Sequence, residues 1–278
     1  MISVDRNIAA AFLEPEPFKY LFEIPIFRKE LLPGTKVFGD TPTPSALFIL
    51  QGNLDKEFYH TSGTLVGYDE QFWGRCIRWL YPALTRLTIS SLDERAFDHP
   101  DLHSYFQVGP VSSAQSFVCT DINSVPEFSI PIVTLTEDDC SAVERYVMEP
   151  DPAFPLVPEF TRVYEITMGN PNREILAIKE DDEIIGFVAF VKGIDNFWGV
   201  THIDVQSDRR GRGLATQLAA AYARSRLLLG DIPLYELVMN PASVQVAIKA
   251  GFTCCRTHYR AECERRSYEQ VSAMAEPR

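Results

Sequence analysis

A chain of 278 residues with 46% hydrophobic content and 18 Phe has enough apolar material for one large or two ordinary domains. Its formal net charge of −12 argues against broad electrostatic attraction to nucleic acid or anionic membranes, and favours a cationic small molecule over an anionic one. The longest apolar runs fall short of the roughly 18–20 residues that span a bilayer, and Met1 to Pro17 lacks a basic region followed by an apolar one. The expectation is therefore a cytoplasmic protein with neither nucleic acid nor membrane as partner. Cys76, Cys119, Cys140, Cys254, Cys255 and Cys263 form no CxxC pair and have no His at zinc-ligand spacing, so reduced thiols and no metal are expected.

From Phe18 to Leu32 apolar and charged residues mix at helical spacing, and Pro33-Gly34 ends the element. Ser45–Leu50 and Glu57–Thr61 read as strands, Asp69–Leu84 as an amphipathic helix carrying Phe72, Trp73, Ile77, Trp79 and Leu80, and Arg86–Leu92 and Gln115–Asp121 as further strands. A boundary falls near Asn123–Pro126, giving a divergent N-terminal α/β domain over 1–125 and a second domain over 126–278. Ile130–Leu135 then reads as a strand, and Thr136-Glu-Asp-Asp139 has capping-box form before a helix to about Met148. Glu149–Pro158 is a loop with four prolines, followed by a short helix over Glu159–Met168 in which Phe160, Val163, Tyr164 and Met168 share a face. A hairpin joins Glu174–Ile178 to Ile184–Val191 through four acids at 180–183, read as a solvated turn with no role assigned.

The chain turns on the stretch from Gly199 to Leu229. Gly199–Val205 alternates β-branched with polar residues, and Leu214, Leu218, Ala221, Tyr222, Ser225 and Leu229 recur at helical spacing, so this is strand, turn and long helix, with Gly230 as its stop. Gly211 and Gly213 permit close backbone approach at a helix start, where unpaired N–H groups and the macrodipole favour an anion, and Arg209, Arg210 and Arg212 add charge. A pyrophosphate suits such a place, although neither P-loop nor Rossmann glycine spacing is present. Ile232–Met239 is the next strand. Asn240-Pro-Ala-Ser243 opens a short helix with Val244, Ala247 and Ile248 toward the sheet, Gly251 ends it, and a last strand runs from Phe252 to about Cys263.

Arg210-x-x-Gly213-x-Ala215 resembles the acyl-CoA-binding signature of the GNAT superfamily of N-acyltransferases, and Asn240-x-x-Ser243 with Lys249-Ala-Gly-Phe252 resembles that superfamily's closing block. The order of elements over 127–263 agrees with it. The chain is most similar to bacterial GNAT acetyltransferases with an extra N-terminal domain, here faintly matched over 35–84, where a degenerate copy of the same fold is one reading.

The resemblance implies an α/β (α+β) fold whose mixed central sheet splays into a V, with the pantetheine arm of acetyl-CoA lying in the gap beside Ile203–Val205. The amides of Gly211, Arg212, Gly213, Leu214 and Ala215 would hold the diphosphate, with Arg210 and Thr216 also at the donor-binding turn, and a backbone N–H among Ile203–Val205 would polarise the thioester carbonyl. Asn240 and Ser243 would lie near the cysteamine end, with Asn240 equally well a helix cap.

The implied activity is acetyl transfer to the amine of a small molecule. A non-catalytic acyl-CoA-binding protein and a peptide N-acetyltransferase are the alternatives. Many relatives place a Tyr where this chain has Ala247, and a Glu base where it has Trp198-Gly-Val200. His202, with Asp204 on the same strand face, is the candidate base; Glu236 and Tyr235 are weaker ones; Ser243, Tyr259, Cys254 or water is left to protonate the thiolate. Acceptor choice is assigned to the 149–158 loop, the helix after it and an N-terminal domain closing over the cleft, with Asp151 and Glu159 available to a cationic amine.

Overall fold

In the computed structural model, which describes residues 2–16, 35–51, 61–146, 160–193 and 195–275, two units divide the chain. One comprises residues 1–114 with 256–278, the other residues 115–255. The helix expected over 18–32, most of the strand expected at 57–61 and the proline-rich loop with Asp151 and Glu159 lie outside the described residues.

The first unit begins with strand β1 (Ile2–Ser3) and helix α1 (Arg6–Leu13). Strands β2 (Lys36–Gly39), β3 (Leu47–Gln51) and β4 (Ser62–Val66) follow as an antiparallel series. Helix α2 (Glu70–Leu80) then crosses to β5 (Arg86–Ser91), which runs parallel to β4. The Asp69 carboxylate caps α2 by accepting from the Phe72 N–H at 2.6 Å. Its apolar face packs Phe72, Trp73, Ile77 and Leu80 with Phe48, Leu65 and Ile89 into one core, and the Trp73 indole N–H donates to the Ala96 carbonyl at 2.8 Å. Helix α3 (Pro100–Tyr105) and strand β6 (Phe106–Val108) complete the first part of the unit. Its last paired strand comes from the far end of the chain, where Tyr259–Glu264 run antiparallel to β5.

In the second unit the strand order is β7 (Ser112–Val118), β12 (Ile232–Val238), β11 (Phe197–Val205), β10 (Glu183–Lys192), β9 (Arg173–Glu180) and β8 (Val133–Thr134). β10 is buried from Ile184 to Phe190 because both faces of the sheet are covered. Val188 and Phe190 face the core under helix α6 (Leu214–Leu228), whereas Phe187 and Ala189 face the core under α4 (Cys140–Arg145) and α5 (Phe160–Thr167). The capping box forms as expected, with the Thr136 N–H donating to Asp139 Oδ2 at 2.7 Å. The 180–183 turn is a two-residue hairpin loop with Asp181 and Asp182 both at positive φ, 49° and 63°.

Two expectations are revised. The strand at 130–135 shortens to Val133–Thr134, since Pro131 cannot donate to a ladder. Ile248 of helix α7 (Pro241–Lys249) is exposed while Ala247 and Ala250 are buried, and Leu229 at the end of α6 is likewise exposed. β12 pairs with Gln115–Val118, while residues 256–265 of the last strand, β13 (Thr253–Arg265), fall in the first unit. Among the described residues no helix is long and apolar enough to cross a membrane.

Candidate active site

β11 and β12 run parallel and paired only from Phe197↔Ile232 to Val200↔Tyr235. Beyond that point β11 keeps its antiparallel neighbour β10 as far as Val205↔Gly186 and leaves β12 behind. Tyr222 of α6 supplies a wedge. Its fully buried hydroxyl donates to the Trp198 carbonyl and accepts from the Leu234 N–H at 3.1 Å, so a side chain stands between the backbones of the two strands just before they part. Burial raises its pKa far above the ordinary phenol value, which keeps it a neutral donor and acceptor.

A second irregularity sets which side chains enter the gap. The β10–β11 register shifts between Ala189 and Phe190, leaving Thr201 as the extra residue, its hydroxyl bonded to the Ala189 carbonyl at 3.1 Å. Val191, Ala189 and Phe187 share one face of β10. Their partners Gly199, His202 and Asp204 therefore share one face of β11 in spite of the odd spacing between 199 and 202. Ile203 and Val205 pack into the opposite core, with α6.

Past Val205 the chain makes one 3₁₀ turn at Ser207–Arg209 and enters α6 through Gly211 (φ 79°) and Gly213 (φ 78°). An added Cβ at either glycine would meet nothing within 4 Å, so open space lies against this backbone. Gly213 is the N-cap and offers no side-chain oxygen, and the first bond of the helix is Gln217 N–H to the Gly213 carbonyl at 3.1 Å. The amides of the first turn thus point outward from a helix of 15 residues, the arrangement that attracts an anion.

The three arginines divide their work in a way the sequence does not show. Arg210 folds back on the turn, donating to the Val205 carbonyl at 2.9 Å and to Asp204 Oδ1 at 3.3 Å. Arg209 and Arg212 reach Glu180 of the hairpin turn at 3.2 and 4.0 Å. Glu180, one of the four acids read as merely solvated, therefore sits among the cations of the turn.

The other candidates separate by their partners. Asp204 accepts from the Tyr146 hydroxyl at 3.0 Å as well as from Arg210, so both carboxylate oxygens are engaged. Burial raises its pKa against those interactions, and burial together with the Asp204 charge raises that of Tyr146. Tyr146, Asp204 and Arg210 form a brace behind the anion turn, and no spacing rule points to Tyr146. His202 is half-buried, with Nδ1 unbonded; burial and then Arg173 lower its pKa, leaving a neutral imidazole near pH 7. Asn240 caps α7 by accepting from the Ala242 N–H at 2.9 Å. The Tyr235 hydroxyl is buried and lacks a well-formed hydrogen bond, with Ser243 as its polar neighbour; burial raises its pKa. Ala247 is fully buried in the core beside Phe252. Tyr259 and residues 256–265 belong to the first unit, whereas Cys254 is exposed in the second.

A half-zipped pair of parallel strands leading to an uncapped helix start defines an α/β domain shaped for an extended ligand with an anionic end. Residues 140–252 match the Acetyltransferase (GNAT) family. The match leaves an extra N-terminal region outside it, and the matched family is generally catalytic and implies an acyl-CoA donor. A GCN5-related N-acetyltransferase from Sphaerobacter thermophilus superposes with TM-score 0.60 at 16% identity, over 94% of this chain and 92% of its own. A GNAT-family acetyltransferase from Colwellia psychrerythraea gives 0.53 at 11% identity, over 94% and 95%. At such identities the likeness is one of fold, and it extends across most of the chain. No curated protein matches the sequence.

Proposed function

We propose that the protein moves an acetyl group from acetyl-CoA to the amine of a small molecule by direct transfer. The observation that carries this reading is the end of β11–β12 pairing at Val200↔Tyr235 combined with open space over Gly211 and Gly213. The diphosphate is assigned to the amides of residues 211–215, the pantetheine arm to the unpaired edge of Thr201–Val205, and the thioester carbonyl to a backbone N–H of that edge, which stabilises the tetrahedral oxyanion. With its oxygens engaged by Tyr146 and Arg210, Asp204 serves to brace the turn. Ser243, close to Tyr235, is the polar group assigned to the cysteamine end.

Calorimetric titration with CoA and thiol release from acetyl-CoA over a panel of amines, amino acids and peptides test this. Turnover with a free amine is the expected result. Tight CoA binding without turnover on any acceptor would instead make this an acyl-CoA-binding regulator, and turnover on peptides alone a peptide N-acetyltransferase. Absence of CoA binding would refute the reading altogether.

A further inference from the structure

The point where β11 and β12 part departs from regular strand geometry on both sides. On β12 the pairing with β7 shifts between Tyr235 and Val238, and Leu237 lies in the left-handed region at φ 51°. That conformation is unfavourable for a bulky side chain and persists where surroundings impose it. Here the Leu237 N–H donates to Ser116 Oγ at 3.2 Å, and Ser116 is fully buried. On β11, residue 199 has no side chain, and a carboxylate fills the space one would take: a Cβ on Gly199 would lie 2.3 Å from Glu236 Oε2 and 3.1 Å from its Cδ. The bulge lies directly beside Glu236, whose carboxylate reaches across to the neighbouring strand, and the glycine receives it. A glutamate serving only as a solvated surface group needs neither device.

We propose that Glu236 is the catalytic carboxylate of acyl transfer, receiving the acceptor's ammonium at the closed end of the cleft and taking its proton; this rests on the transferase reading above. The open arm of β11 runs five residues from Val200 to Val205, about 16 Å at roughly 3.3 Å per residue. A donor held by its anionic end at the far turn brings its reactive end to the last strand pair, and Glu236 directly follows Tyr235 of that pair. The ammonium gives one proton to the Glu236 carboxylate, and the freed nitrogen lone pair forms the N–C bond to the thioester carbonyl. The C–S bond then breaks with its electron pair leaving on sulfur, one of the two protons remaining on nitrogen passes to the thiolate while the other stays on the amide, and the Glu236 carboxylic acid returns its proton to water. His202 stands beyond the Thr201 bulge, on the open arm. Glu236 stands where the arm closes.

The test supplies acetyl-CoA with putrescine, glycinamide or hydroxylamine and follows thiol release from about pH 6 to about pH 9, with CoA affinity measured in parallel. For the two amines that are largely protonated near pH 7, E236Q is expected to lower kcat/KM by about 10²-fold or more and to abolish the acid limb of its pH profile. For hydroxylamine, already neutral, the loss is expected to stay below about tenfold, with CoA affinity within about twofold. Gly199→Ala, whose methyl only displaces the end of a flexible side chain, is expected to give an intermediate loss. Returning the carboxylate from the other strand, as G199E in an E236A background, is expected to restore at least about tenfold over E236A alone. An E236Q variant that keeps its acid limb, an equal loss on all three acceptors, or no rescue overturns the proposal while CoA binding leaves the transferase reading standing. CoA binding without turnover of any of the three acceptors by the parent protein also overturns it. A parent protein that does not bind CoA overturns both.

Discussion

Replacing Tyr222 by Phe removes one oxygen from the place where the strands part and leaves everything else in position. The ring keeps its contacts with Phe190 (centroids 4.5 Å apart) and Phe252 (6.2 Å), so no cavity term enters. What is lost is the acceptor for the Leu234 N–H and the donor to the Trp198 carbonyl, both at a fully buried hydroxyl. An unsatisfied buried N–H costs about 1–3 kcal/mol, and the carbonyl, with a second lone pair, costs less. The expected destabilisation is therefore about 2 kcal/mol, read as a lower urea midpoint at unchanged slope and as faster hydrogen exchange at the Leu234 amide. Should the paired ends of the strands instead draw together and satisfy these groups directly, stability recovers but the closed end of the cleft narrows, and CoA affinity falls by about tenfold or more, equivalent to about 1.4 kcal/mol. A variant within about 0.5 kcal/mol of the parent and with unchanged CoA affinity would refute the wedge.

Glu180→Gln removes the carboxylate that Arg209 and Arg212 share, and because the pair is surface-exposed the gain in CoA affinity is expected to be at most about fivefold, shrinking as salt rises. Gly213→Ala places a side chain at φ 78°, a strain of about 1–2 kcal/mol, and calorimetry is expected to show weaker CoA binding because relief of that strain turns the first amides of α6 away. His258 has its pKa lowered to about 4 by burial and by Arg256 and Arg260, so the unfolded chain binds more protons between pH 6.5 and pH 4. Stability is then full above about pH 6.5 and falls through that window, by up to roughly 3 kcal/mol before solvent screening reduces it, and His258→Gln is expected to flatten this part of the curve in urea titrations at stepped pH. A fragment of residues 115–255 is expected to melt cooperatively by circular dichroism, whereas 126–278 is not, because it lacks the strand residues that pair with β12.

The elements that carry the site were readable because each has a local cause. Alternation in 199–205, helical spacing after Leu214, proline at the first position of α7 and glycine at the turn are all short-range signals, and the elements fall within a few residues of where they point. What stayed hidden depends on pairs distant in sequence. Period-two alternation places His202 with Asp204, but it puts Gly199 on the opposite face, and only the bulge at Thr201 reverses that. Asp204 looked like an acid available for chemistry until Tyr146, 58 residues earlier in the chain, took one of its oxygens. Glu180 was one acid among four, and its link to Arg209 requires the hairpin to be folded first.

The missing carboxylate at Trp198-Gly-Val200 shows how a gap in a local pattern is misread when strands are taken singly. A glycine in a buried strand weakens it, since it adds chain entropy and packs nothing, so its presence there asks what approaches it from outside the strand. The answer is a side chain from the adjacent parallel strand, whose own backbone is bent into the left-handed region at the next residue. Neither feature has a use without the other: Leu237 would be strain without purpose, and Gly199 a vacancy beside an apolar core. The same logic governs the ends of the two units. β5 and β12 each follow a parallel crossover helix and each need an antiparallel partner on their free edge, and each takes it from a segment remote in the chain, 259–264 for β5 and 115–118 for β12. A division by chain order alone separates both strands from these partners, because the edge that must be covered is set by pairing.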